Sequence, residues 1–246
     1  MKSKLKVTNV RGTIFVPRVD YNTANLRKMQ EAFPGYLPSM ISPIALPDFV
    51  PGMGVFKNNS WRLVSSDQTE SISFYEDKID IITNSNELPY NVELLHKQSQ
   101  HFLETFMKII SAFSFKSSRL AIAPTLFIPF LENEQNGIHE FTKKIFAFHQ
   151  FNGSELDNCD FSQVYRVPKN LNGSDYLINH LTRFSTEMFQ TQVGNVIHIG
   201  ERLILAVDIN TFVNPVYSFD EIALKDFYTN SPTWCEELLS DYFQNI

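Results

Sequence analysis

Cysteine is nearly missing from this chain: Cys159 and Cys235 are the two in 246 residues. Two thiols cannot build a disulfide framework, and one bridge would add little to a core of this size. The staple-dependent secreted domain is therefore excluded, and both thiols are expected to be reduced in a cytoplasmic setting. Glycine is scarce too, at 9 residues. No P-loop, GxSxG, HExxH or CxxC pattern occurs, and Gly194 and Gly200 lack the spacing of a dinucleotide fingerprint. The common nucleotide-binding and acyl-transfer chemistries are thereby disfavoured, and no cofactor is expected. No stretch approaches the roughly 20 apolar residues that cross a bilayer as a helix. The N-terminal MKSKLKVTNVRGTIFV is basic but has no sustained apolar run and no small-residue cleavage site, so it reads as a first strand and no membrane partner is expected. Positive charge is the last shortage. Lys and Arg number 21 against 27 acids, a formal charge of -6, which gives no overall footprint for nucleic acid and disfavours it as a partner, a local basic patch aside.

What the chain does have is a globular interior. Hydrophobic residues make up 43% and charged residues 20%, and the 22 Phe against 2 Trp predict a core filled mainly by phenyl rings. Residues 5–17 carry closely spaced β-branched residues and read as a strand. A helix follows over about 23–33, with Leu26, Met29 and Phe33 on one face and Pro34-Gly35 as its stop. In YLPSMISPIALPDFVPGMG the prolines at 38, 43, 47 and 51 oppose regular structure. Ile41, Ile44, Leu46, Phe49 and nearby Phe56 are nevertheless too apolar for a solvated linker. The segment is expected to wrap its own core or to dock a protein partner, with Ile44, Leu46, Phe49 and Phe56 as the contact residues.

The stretch WRLVSSDQTESISFYEDKIDIITNS, residues 61–85, holds five acids among strand-like residues. Trp61 to Val64 reads as one strand, and Ile72-Phe74 and Ile79-Ile81 as two more around a tight Glu76-Asp77 turn. That pattern puts Lys78 and Asp80 opposite Ile79 and Ile81, and Asp67 and Glu70 in the preceding connection, so no metal is expected there. Residues 89–113 form the strongest helical pattern, with Leu95, Phe102, Phe106, Ile109, Ile110 and Phe113 on one stripe. Arg119 to Phe130 reads as a strand, 138–148 as a short helix and 151–175 as loop-rich. Two or three long strands follow, with turns at Gly194-Asn195 and Gly200-Glu201. The sequons at Asn58, Asn152 and Asn172 are expected to be unmodified, two of them being Asn-Gly-Ser turns first. Ser218 to Glu221 forms a capping box for one short helix, and Ser231-Pro232 opens a last one.

Ile79-Asp80-Ile81 and Val207-Asp208-Ile209 each precede a helix with paired Leu and a later Phe, which suggests two pseudo-repeated ββα halves. Trp61 with its hairpin, the long helix, Arg119 opening the next strand, the strand LILAVDI and the closing Tyr242-Phe243 together resemble a sporadically distributed bacterial family with no assigned function. The resemblance implies a cytosolic bacterial protein scattered with mobile genes, with defence against phage as one setting. It brings no catalytic residues.

Among site candidates, Asp80 and Asp208 are the sharpest. An acid inside each of two apolar strands could bring two carboxylates to one divalent cation, as in a nucleic-acid-processing enzyme. His96 and His101 share a helix at i, i+5, about 140° apart, which does not suit one metal. His180 and His198 lie on neighbouring strands and could meet. Lys116 and Arg119 with Phe113 and Phe115, extended by Lys2, Lys4 and Lys6, are the nucleic-acid candidates. The expected fold is α+β, with antiparallel sheets packed by two principal helices, in halves 1–130 and 131–246 or as one domain. The expected function is non-catalytic interaction with an unidentified protein partner, with self-association open; the alternative is the metal-dependent enzyme of Asp80 and Asp208.

Overall fold

The computed structural model describes residues 4–40, 60–130, 160–193, 196–213 and 217–243. They form an α+β fold built on one antiparallel sheet of nine strands. In chain order the elements are β1 (Lys6–Phe15), α1 (Thr23–Ala32), β2 (Tyr36–Met40), β3 (Trp61–Ser65), β4 (Glu70–Phe74), β5 (Lys78–Pro89), α2 (Val92–Phe113), β6 (Arg119–Phe130), β7 (Asp160–Leu171), β8 (Ser174–Val193), β9 (Val196–Thr211) and α3 (Glu221–Phe243). Across the sheet the order is β2-β3-β4-β5-β1-β6-β9-β8-β7.

Alternate residues of a strand share a face, and so do direct cross-strand partners. One face collects Ile14, Ile72, Ile79, Ile81, Ile122 and Ile209, all almost fully buried, and it receives α2 and α3. The expected stripe of α2 is the buried one, including Leu95, Phe102, Phe106, Ile109 and Ile110. α2 approaches β1 so closely that a Cβ on Gly12 would lie 2.7 Å from Cδ2 of Phe102. Tyr228 of α3 crosses the same core, with its hydroxyl 2.9 Å from the Thr13 carbonyl and 3.0 Å from that of Ala121. No helix among the described residues packs on the opposite face, which is helix-free in that sense alone.

Several expectations need correction. The two tail helices are one, because α3 runs through Pro232. Proline has no N–H for the carbonyl four residues back and normally breaks a helix there. Here Ser99 of α2 donates its hydroxyl to that carbonyl, of Tyr228, so packing supplies the donor that the helix lacks. The cap is Asp220, whose Oδ1 accepts from the Ala223 N–H at 2.8 Å. Pro38 does not exclude regular structure, since β2 is an edge strand of the sheet, where a missing ladder donor is tolerated. Residues 160–171 are a strand rather than a loop. β7 lies at the other edge; its odd-numbered residues are mostly half-buried and its even-numbered ones exposed, but Gln163 and Lys169 on the inner face and Val164 and Pro168 on the outer one blur the period-2 apolar signal. The turn from β7 to β8 is Asn172-Gly173, at φ 50° and 76°, the left-handed conformations that Asn-Gly favours. Gly200-Glu201 is no turn, because β9 passes straight through both. Ile41, Ile44, Leu46, Phe49, Phe56, the helix expected at 138–148, Gly194-Asn195, Lys2 and Cys159 lie outside the described residues. Cys235 is a free thiol, and burial pushes its pKa up.

Candidate functional site

The Asp80 and Asp208 pair does not form one site. Both side chains face the helix-free side, but β1 and β6 stand between β5 and β9. Three steps of about 4.8 Å separate the strands by roughly 14 Å, too far to share a cation. Asp80 is also no solvated residue: it is 2% exposed. Thr13 Oγ1 donates to its Oδ1 at 2.7 Å and Lys78 Nζ to its Oδ2 at 2.9 Å. Asp208 instead begins a polar chain. Its Oδ1 accepts from Asn210 Nδ2 at 2.9 Å, and Asn210 Oδ1 accepts from Arg119 Nη2 at 2.8 Å and from Asn179 Nδ2 at 2.9 Å. Among the described residues, no group of three or more His, Cys, Asp or Glu is placed to hold a metal ion. The Glu76-Asp77 turn exists as expected, closed by Tyr75 N–H to the Lys78 carbonyl at 2.9 Å.

Register on the helix-free face places cations and rings side by side. Lys78 pairs with Phe15, and Phe15 with Arg119. Arg119 stacks 4.9 Å from the Phe15 ring centroid while its Nε reaches the Thr211 carbonyl at 3.2 Å. Next to Thr211, Phe212 lies under the Arg166 guanidinium, 4.9 Å from its ring centroid. Lys78, Phe15, Arg119, Phe212 and Arg166 thus form a line of alternating cations and rings across the sheet. Among the described residues, the cations on this face are Lys6, Arg11, Arg62, Lys78, Arg119, Arg166, Arg183 and Arg202, eight against six carboxylates, Asp80, Glu87, Asp160, Asp175, Glu187 and Asp208. The excess is two positive charges on a chain of formal charge -6. Lys6, Lys78, Arg183 and Arg202 are paired with Glu87, Asp80, Asp160 and Glu187. Arg62 and Arg166 are exposed and have no carboxylate partner among the described residues. Of the two nucleic-acid candidates, Arg119 belongs to this line. Lys116 is an exposed residue of the connection before β6, and Phe113 and Phe115 stack on each other, 5.8 Å between centroids, with Lys28 rather than Arg119 over Phe113.

Two constellations on the helix-bearing face escaped the sequence reading. Glu70 is not in a connection but opens β4, 7% exposed, and its carboxylate accepts from Tyr36, from His101 Nε2 at 2.6 Å and from Thr83 at 3.3 Å. Burial opposes its ionisation, but the bonds from His101 and Tyr36 prevail and its pKa is lowered. The Glu70 bond raises that of His101, partly offset by burial. The available signal was parity, since Glu70 shares the face of Ile72 and Phe74. His96 is exposed on another side of α2. The second constellation is a cleft of about 420 Å³ between β7, β8 and the end of α3, lined by Tyr165, Lys169, His180, Glu237, Asp241 and Tyr242 among others. His180 is 6% exposed and its Nε2 has no hydrogen-bond partner among the described residues. Burial, then the charge of Lys169, lowers its pKa. His180 and His198 do not meet: His198 pairs with Thr191, about 36 Å along β8 from His180 at about 3.3 Å per residue.

No helix among the described residues is long and apolar enough to cross a membrane. No family model and no curated protein matches the chain. Among solved structures, the chain is similar to a rolling circle replication initiator protein from Geobacillus stearothermophilus at 9% identity and a TM-score of 0.31, over 98% of this chain and 84% of that one.

Proposed function

We propose that the protein acts by binding single-stranded nucleic acid along the helix-free face of its sheet. The observation that carries the reading is the line Lys78, Phe15, Arg119, Phe212 and Arg166, in which cations alternate with rings across neighbouring strands. Guanidinium groups and phenyl rings both stack on bases, and the same cations neutralise phosphates, which suits single strands rather than a closed duplex. The net charge of the chain hides this, because its acids are concentrated elsewhere. Sequestration of Asp80 by Thr13 and Lys78, and the separation of Asp80 from Asp208, favour binding without metal-assisted cleavage. A binder of this kind suits the mobile-gene setting that the family resemblance implies.

The test is fluorescence anisotropy with a labelled oligo-dT of about 20 nucleotides at low salt. Wild-type protein is expected to bind, with affinity falling as salt rises with a logarithmic slope of about -0.7 per phosphate contact. Charge reversal in Arg62→Glu/Arg166→Glu, both exposed positions, is expected to weaken binding at least about tenfold. Equal affinity of variant and wild type would overturn the reading.

A second reading rests on β7. Among the described residues its outer edge is unpaired over twelve residues, and Val164 and Tyr165 are 52% and 49% exposed. An extended segment of a partner protein could add there as a tenth strand. Pro substitution at Val164 would abolish such a complex.

A further inference from the structure

The cleft at the end of α3 faces away from the cation and ring line, so its chemistry is separate from the proposed nucleic-acid surface. Its one cation, Lys169, is already committed: Nζ lies 3.6 Å from Glu237 and 5.2 Å from the centroid of the Trp234 ring. That leaves Asp241, an exposed residue, as a carboxylate with no countercharge in the cleft. Gln163 Oε1 accepts from both the Tyr165 and the Tyr242 hydroxyls, and Tyr242 also bonds Thr182 at 2.7 Å. Both phenol rings are therefore held in place as walls. Val167 and Leu238 supply apolar lining. The remaining polar group is His180, nine-tenths buried, with an Nε2 that makes no hydrogen bond among the described residues.

An uncompensated carboxylate beside two fixed aromatic rings calls for a ligand that is flat and cationic. A guanidinium meets both demands. It forks onto a carboxylate and stacks on aromatic rings, whereas an ammonium is a strongly hydrated point charge without the plane. We propose that the cleft binds a small guanidinium-bearing molecule, with Asp241 as its countercharge and Tyr165 and Tyr242 as its stacking walls. His180 completes the lining, but its Nε2 is sealed from solvent and makes no contact with the ligand. Trp234 stands beside the site, 6.4 Å from the His180 ring between centroids, and reports on occupancy.

Agmatine titrated into the full chain, followed by calorimetry and by tryptophan fluorescence, tests this. Saturable binding is expected, weakened about tenfold or more in Asp241→Asn, as loss of a charged hydrogen-bond partner requires. Tyr165→Leu, at a half-exposed position, is expected to weaken it severalfold with the melting temperature preserved. Spermidine, cationic but without a guanidinium plane, is expected to bind at least about tenfold more weakly than agmatine. Absence of saturable agmatine binding, equal affinity in Asp241→Asn, or spermidine binding as tightly as agmatine would each overturn the proposal. None of these substitutions lies on the helix-free face, so the outcome is independent of the nucleic-acid reading.

Discussion

Substituting His101 by Gln removes the imidazole that bridges α2 to the buried Glu70 carboxylate. The bond is 2.6 Å long, Glu70 is 8% exposed in its side chain and His101 is 46% exposed. A hydrogen bond to a charged group contributes about 1.5–3 kcal/mol when buried. His101 is half in water, so screening reduces this to about 1 kcal/mol. The sign follows from the two shifts. His101 has a folded pKa raised above its ordinary 6.5, so its contribution is fully present below that value and is lost as pH rises through the folded pKa. Glu70 has a folded pKa lowered below its ordinary 4.5, so its contribution is present above that value and is lost as pH falls through the folded pKa. Stability from this pair is therefore greatest between the two ordinary values. Glu104 and Lys108, which flank His101 on α2, act on it with opposite signs. In thermal melts from pH 5 to 9, wild type is expected to lose about 1 kcal/mol, or about 2–4 °C for a chain of this size, on the alkaline side of 6.5. His101→Gln is expected to start lower at pH 5–6 and to lack that alkaline decline. A decline of equal depth in both proteins would show that the Glu70 pair is not its source.

Two further outcomes follow from the packing of α2. Gly12→Ala is expected to destabilise by about 1–3 kcal/mol in urea, because the new methyl meets the fully buried Phe102 ring; a neutral Gly12→Ala would mean that the ring can step aside. Ser99→Ala is expected to cost about 1–3 kcal/mol by leaving the Tyr228 carbonyl without a donor. In a Pro232→Ala background the new N–H at 232 can serve that carbonyl, so the same substitution should cost less. A double-mutant cycle checks this, and zero coupling would refute the account of how α3 tolerates its proline.

The elements that read clearly in the sequence are those with one wet and one dry side. α2 shows a clean apolar stripe, and the hairpin of Ile72, Phe74, Ile79 and Ile81 shows strict alternation, so both stand where periodicity puts them. The edge strand β7 is hard to read, because polar Gln163 and Lys169 lie on its half-buried face and Val164 and Pro168 on its exposed one, which breaks the apolar alternation. Pro232 and Pro38 misled for a related reason: local rules assume that each backbone group is satisfied locally, whereas Ser99 serves one of these positions and a sheet edge accommodates the other. The polar sites were hidden because they are made across strands. Arg119 could be named from its neighbours in sequence, but its working partners, Phe15 and Asn210, lie 104 and 91 positions away. Glu70 depended on His101, on another element, for its role. The net charge concealed the cationic face, because a sum over residues carries no information about which side of a sheet they occupy.

The most direct test of the central claim is photo-crosslinking of an oligo-dT carrying halogenated bases to the native protein, with the attachment sites read by mass spectrometry. Crosslinks are expected on the helix-free face, at Phe15 and Phe212 and at residues adjoining Arg119 and Arg166, and they should be competed away by unlabelled single strands more readily than by duplex. Crosslinks confined to α2 and α3, or none at low salt, would contradict the account.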